Sequence, residues 1–369
     1  MTTIRRLAVR MCALTALTAA AAQAQGVAGL LPEVTEPPTK AATRGANFLH
    51  IMIGARGNAM AGAIGSGVSG STAWFWNPAG AATIESFDLA VGQQKLYGDL
   101  GVKQTYVGIS FPLLGGAIGL AVNSLNSGDI PLTTEGTPFG DVSLGQFFQW
   151  TSSAVSFGYA RRLTDRLDIG VNAKYISEGM SQIRTRWIAG DVGTQFRTGL
   201  FGVLLGGSLS SVGTAAHMDG TGLERGVSTN DVSLEQTRFK LFTRPVDLPT
   251  EFRFSAGDDL LGSAESLFGR HGGKNTLYGE VAVNDAVDTP VQMGVGVEYG
   301  YKNMLFLRGG KRFYNDGRRP AGASASYGFS GGLGLRLPVN GKPLRFDYSY
   351  TALGDLNNIQ IFSLEFGGR

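Results

Sequence analysis

Few residues in this sequence are spaced for catalysis. Gly328-Phe329-Ser330-Gly331-Gly332 fits the G-x-S-x-G pattern, in which a serine nucleophile is exposed at a strand-to-helix turn. Here an alternation of large and small residues runs straight through the serine, so a strand interior is expected. A lipase- or acyltransferase-like role is the minor alternative. His50, His217 and His271 lie far apart and show no metal-ligand spacing. His217-Met218-Asp219-Gly220 reads as a loop turn, without the ligand spacing of an EF-hand. No phosphate-cradling Gly-x-x-x-x-Gly-Lys-Ser/Thr occurs. The sequence therefore predicts no catalytic residue, no metal and no cofactor.

Charges at alternate positions say more. Lys174, Glu178, Asp191, Glu298, Arg308, Arg336, Arg345 and Asp347 stand beside small residues within otherwise apolar stretches. A lipid-facing Arg or Lys near a bilayer midplane costs about 2–4 kcal/mol, so these side chains are expected inside a barrel. The preferred reading is that they pair with one another and clamp a plug, to which Arg56 belongs. The sharper reading is a polar gate along a transport route.

The elements that must carry these charges are strands. From Tyr327 to Leu337, bulky Tyr327, Phe329, Leu333 and Leu335 alternate with Gly328, Ser330, Gly334 and Arg336. Similar alternation marks 291–300, 167–175, 344–350 and 361–366. The expected strands are 86–97, 102–112, 116–126, 147–161, 166–178, 184–197, 200–212, 248–257, 275–285, 291–301, 303–313, 324–337, 342–352 and 358–367. Most are long enough to cross a bilayer, which takes about 9–11 residues. An open edge in lipid would leave backbone donors and acceptors unsatisfied, so the sheet must close. An all-β transmembrane antiparallel barrel of about fourteen strands follows. Tight turns at Gly98-Asp99, Asn340-Gly341 and 113–116 are expected at one end. Long loops at 127–146, 213–247 and 258–274 are expected at the other, facing outward.

Composition agrees. The 369 residues include 55 glycines, are 43% hydrophobic and only 17% charged; the glycine share is roughly double the usual 7%. The absence of a G-X-Y period excludes collagen, and 21 Phe, 11 Tyr and 4 Trp argue against disorder. Cys12 is the single cysteine, so there is no disulfide scaffold. Arg5, Arg6 and Arg10, an apolar run to Ala22 and Ala22-Gln23-Ala24 read as an export signal over residues 1–24. Without its three arginines, the 32 basic residues fall to 29, matching 29 acidic ones. No basic surface asks for nucleic acid.

Residues 25–45, with Pro32, Pro37 and Pro38, read as an N-terminal arm. Residues 46–85 lack alternation and are too short for a core of their own, so they are expected to plug a barrel formed by 86–369. Within this plug, Asn77-Pro78 calls for a turn or a helix start.

This segment carries a resemblance. FLHIMIGARGNAMAGA (48–63) and STAWFWNPAGAA (71–82) are similar to the N-terminal signature of the PorV/PorQ family. That family in turn resembles the FadL-type outer-membrane transporters and shares their Asn-Pro-Ala plug motif, here Asn77, Pro78 and Ala79. IGVNAKYISEGM (169–180), LPTEFRFSAG (248–257), FLRGGKR (306–312) and the stretch 344–366 continue the likeness. The resemblance implies a fourteen-stranded FadL-like barrel in the bacterial outer membrane. It implies a part in type IX secretion, passing protein cargo with C-terminal signal domains to surface attachment through long outer loops. The alternative it implies is passive passage of hydrophobic molecules, with the Asn-Pro-Ala turn as gate. Its partners would be outer-membrane lipid together with such cargo or such molecules.

Overall fold

Strands with one bulky and one small face satisfy their backbone only through neighbours on both sides. The structure, a computed structural model, describes residues 43–133, 138, 145–180, 182–226, 238–262, 266, 274–314, 328–354 and 357–367. Fourteen strands form the wall. They are β1 Asp88–Lys95, β2 Lys103–Leu113, β3 Gly116–Asn126, β4 Trp150–Arg162, β5 Leu167–Met180, β6 Ile183–Arg197 and β7 Leu204–Gly213. The ring continues with β8 Glu251–Leu261, β9 Asn275–Ala286, β10 Thr289–Tyr301, β11 Leu305–Tyr314, β12 Phe329–Val339, β13 Lys342–Ala352 and β14 Asn358–Gly367. Each pairs antiparallel with the next, and β1 pairs with β14, Asp88 opposite Gly367, so the sheet closes on itself. No helix among the described residues is long and apolar enough to cross a membrane.

Some boundaries differ from the periodicity, for local reasons. Phe147 and Phe148 leave the wall and pair with Ile130 and Pro131 in a separate ribbon, so β4 begins at Trp150. Phe201 and Gly202 have positive φ and form a turn, which delays β7 to Leu204. Pro249 lacks a ladder donor, and β8 starts beyond it at Glu251. The alternation before Phe329, Tyr327 included, lies outside the described residues.

The expected division of tight turns and long loops is corrected by strand direction. The rim that holds the start of β1 and the end of β14 carries 114–115, 163–166, 198–203, 302–304 and 340–341, and also the long 262–274 connection. The opposite rim carries 127–149, 214–250 and 315–328, together with the short 96–102 connection containing Gly98-Asp99. Alternation fixes faces, but only the count of strands assigns a loop to an end.

Outward positions form an apolar belt: Ile188 is 69% exposed and Phe362 62%, against 0% for Ile176 and 1% for Ile361 on the inner face. A belt of this size is not compatible with water and suits lipid. The interior is filled by the plug, which enters near the long-loop rim and descends to β1. It contains short helices α1 (Ala55–Ala59) and α2 (Ala73–Trp76), with single 3-10 turns at Asn47–His50, Gly70–Thr72 and Pro78–Thr83. Ile53, Ile64, Trp74 and Trp76 pack with Ala90, Tyr106 and Ala117 of the wall, while Phe48 and Leu49 pack with Ile176 and Trp187.

Candidate functional site

The plug enters at the long-loop rim. Arg44 pairs with Asp247, and the Gly45 amide donates to the Asp247 carbonyl at 3.0 Å. The Ala46 amide donates to Glu178 Oε1 at 3.2 Å, while Ser152 Oγ donates to its other oxygen at 3.1 Å. Glu178 therefore caps the first turn of the plug. His50 sits between Asp288 (Nε2 to Oδ1, 3.1 Å) and Glu251 (Nδ1 to Oε2, 3.5 Å). Burial opposes its positive charge, but the hydrogen bonds and charges of Asp288 and Glu251 outweigh this and raise its pKa to about 9.

Deeper in, charges converge on one half of the wall. Arg56 on α1 grips Glu298 of β10 with two nitrogens, at 2.9 and 3.3 Å, and donates to the Gly67 carbonyl at 3.1 Å. Arg308 on β11 donates to the same Glu298 at 2.5 Å and to Asp347 of β13 at 2.6 Å. The result is a buried chain, Arg56–Glu298–Arg308–Asp347, that ties the plug to three strands. Alternating charge of this kind is stable in a low-dielectric interior only as a complete set.

The other predicted charges are placed separately. Lys174 pairs with Asp191 at 2.6 Å, and Asp191 also accepts from the Ser211 amide at 2.7 Å and from Asn172 at 3.2 Å. This pair joins β5, β6 and β7 without a charge from the plug. Arg345 meets Glu365 at 3.3 Å, across β13 and β14. Arg336 reaches Asn303 at 2.8 Å in the 302–304 turn and borders an inner recess with Asp88, Arg345 and Glu365.

Asn77, Pro78 and Ala79 form the turn between α2 and the last 3-10 turn. The Asn77 side chain accepts from the Ala79 amide at 3.2 Å, an N-cap, and donates to the carbonyls of Gly65 at 3.0 Å and Thr194 at 2.9 Å. Its neighbours on the wall are glycines for reasons of space. A Cβ on Gly170 would stand 2.3 Å from the Pro78 carbonyl carbon, and one on Gly193 would stand 2.1 Å from Asn77 Oδ1. Trp74 likewise lies flat against Gly119 and Gly158 while its indole donates to Ser110 at 2.8 Å.

Sequence reasoning missed several groups that hold the plug. Glu280 accepts from the Ser66 amide at 2.6 Å, the Gly67 amide at 3.2 Å and Tyr278 at 2.5 Å. Arg253 donates to the Trp76 carbonyl at 3.0 Å and lies over its ring at 4.8 Å. Asp88 accepts from the Ser71 amide at 2.6 Å. The signal was present: Arg253 stands between Phe252 and Phe254, the same alternation that identified Arg308. Ser330 Oγ meets Thr351 Oγ1 at 2.8 Å on adjacent strands, with no base or oxyanion donors arranged around it among the described residues. No group of metal-capable side chains occurs among the described residues.

No family model matches the chain, and no curated protein sequence matches it. Among the solved structures to which the fold is similar are two transporters. One is the toluene transporter TbuX of Ralstonia pickettii, at 12% identity and TM-score 0.50, covering 85% of this chain and 96% of that one. The other is the toluene transporter TodX of Pseudomonas putida, at 10% identity and TM-score 0.52, covering 85% and 96%. Both are FadL-type barrels, so this chain has the FadL-like fold of bacterial outer-membrane channels. The narrower likeness to PorV/PorQ finds no counterpart in these comparisons.

Proposed function

We propose that this chain is a bacterial outer-membrane channel for passive passage of small hydrophobic molecules. The observation that carries this reading is the likeness of the whole barrel to toluene transporters over 85% of the chain. In this reading the apolar belt faces lipid, and the rim with the 127–149 and 214–250 connections, where the plug enters, faces the cell surface, as long loops do in outer-membrane barrels. The protein makes no covalent bonds. The Asn77-Pro78-Ala79 turn acts as the gate, because it lies directly against the wall glycines Gly170 and Gly193 and rests on neutral hydrogen bonds that exchange readily. The chain Arg56–Glu298–Arg308–Asp347 is the clamp that keeps the rest of the plug in place while the turn moves. Secretion of protein cargo, which the sequence motifs suggest, draws no support from the fold comparisons.

The test compares cells with and without the protein for uptake of toluene and of a long-chain fatty acid, alongside their exported proteins. Impaired uptake with an unchanged secretome is the expected outcome. Loss of surface proteins that share a C-terminal domain, with uptake intact, overturns the proposal in favour of secretion. A barrel that needs no detergent and shows no heat-dependent gel shift removes the membrane placement itself.

A further inference from the structure

An apolar depression of about 810 Å³ lies on the outer face of the wall, spanning β10 to β14 and β1. Its volume is that of a ligand pocket, roughly 300–1,000 Å³. Cross-strand register explains its shape. One row of directly opposed residues runs Tyr299, Leu307, Leu333, Tyr348, Phe362 and Gln93. A second, parallel row starts at Tyr301 and ends at Val91. The inward positions between the two rows are Gly300, Phe306, Gly334, Asp347, Ser363 and Gly92, and α1 packs against β11 to β14 from inside. The groove lies on the lipid side, between the side chains of the two outward rows.

The groove is not parallel to the rim. In a tilted barrel, hydrogen-bonded rows climb relative to the strand ends. The second row begins at Tyr301 and Leu305, immediately beside the 302–304 turn. By β13 it has reached Phe346, four residues beyond the strand start at Lys342. At about 3.3 Å per residue, that places the far end on the order of 10 Å deeper along the strands.

At its shallow end the groove meets cations. Lys302 lies over the ring of Tyr301 with its ammonium 5.3 Å from the centroid, and its amide donates to the Lys274 carbonyl. Neither lysine is in an ion pair among the described residues. A groove that starts beside Lys302 and Lys274 at the interface and descends among mainly apolar side chains has the polarity of a phospholipid. Its charge selects an anionic headgroup.

We propose that this groove binds one anionic phospholipid of the leaflet on the turn side, its phosphate at Lys274 and Lys302 and an acyl chain along the Leu307–Phe362 row. The inference rests on the membrane placement above and is independent of what passes through the lumen.

The test is native mass spectrometry of the full-length protein, released from nanodiscs containing phosphatidylglycerol and phosphatidylethanolamine with identical chains. One phosphatidylglycerol is expected to be retained about tenfold more often than phosphatidylethanolamine. Lys274→Glu with Lys302→Glu should abolish that preference, and Leu307→Trp with Leu333→Trp should reduce retention of both lipids. Equal retention of the two lipids, insensitivity to both variants, or a second copy of the chain in place of lipid each overturns the proposal. The charge variants lie in turns and leave the core intact, so the proposal stays testable if the tryptophan variant does not fold. The heat-dependent gel shift of the same preparations reports membrane placement separately, so failure of one reading is not mistaken for failure of the other.

Discussion

Along β3 to β7 the plug meets the wall mainly through neutral groups, whereas along β8 to β14 it meets it largely through charge. On the first side, Asn77, Gln195 and Asn172 supply side-chain amides to backbone carbonyls, and Trp74 lies on glycine. The exception is Glu178, at the rim. On the second side, Arg56, Glu280 and Arg253 hold the plug directly, and Arg308 braces the carboxylate that Arg56 grips. A neutral hydrogen bond contributes about 0.5–1.5 kcal/mol and exchanges with a neighbour at little cost. A buried charge left without its partner costs several times more. One side can therefore loosen while the other stays anchored, which is what a gate beside a clamp requires.

The contrast is broken most severely by Arg56→Met. It leaves Glu298 buried with Arg308 alone and frees the Gly67 carbonyl, and should destabilise the plugged barrel by about 3–5 kcal/mol. The midpoint of the heat-dependent gel shift or of urea unfolding measures this. Adding Glu298→Gln should recover part of the loss if the network only clamps. A barrel that stays as stable as the parent but conducts more in planar bilayers would instead make Arg56 the gate.

A second effect is pH. His50 titrates near 9 in the fold and near 6.5 when unfolded, so its contribution is complete below about pH 6.5 and disappears as pH rises through about 9. The loss is of the order of 3 kcal/mol. His50→Gln should flatten the stability profile across that window while leaving the Arg56 network unchanged; an unaltered profile would show that His50 is not the group responsible.

Smaller effects probe the neutral side. Gly170→Ala pushes a methyl group into Pro78 and should cost about 1–3 kcal/mol, since the neighbour is backbone and not a flexible side chain. Asn77→Ala removes the cap of the last 3-10 turn and should cost about 1–2 kcal/mol. If the two sides act independently, Asn77→Ala and Arg56→Met add to within about 0.5 kcal/mol in a double-mutant cycle. A larger coupling energy would merge gate and clamp into one element.

Much of the wall was legible because a strand's two faces are written at alternate positions. Phe252-Arg253-Phe254 states that Arg253 points inward as plainly as the Leu307-Arg308 step does for Arg308. The pairing of those inward charges was not legible. Arg56 and Glu298 are 242 positions apart, and nothing local tells Arg56 to choose Glu298 over Asp191 or Glu365. Arg336, expected in the inner set, borders an inner recess with Asp88, Arg345 and Glu365 near the rim, where it also reaches Asn303.

By itself, then, the chain determined a closed barrel with an apolar outside, a small and charged inside, and a glycine-rich segment to fill it. The cause is local: side-chain period and the need to satisfy every backbone group in lipid. Tertiary structure alone decided which charges meet, which rim each loop joins, and that an apolar groove lies on the outer face between β10 and β1. These depend on register and tilt around the closed ring, quantities that arise only when all fourteen strands are paired.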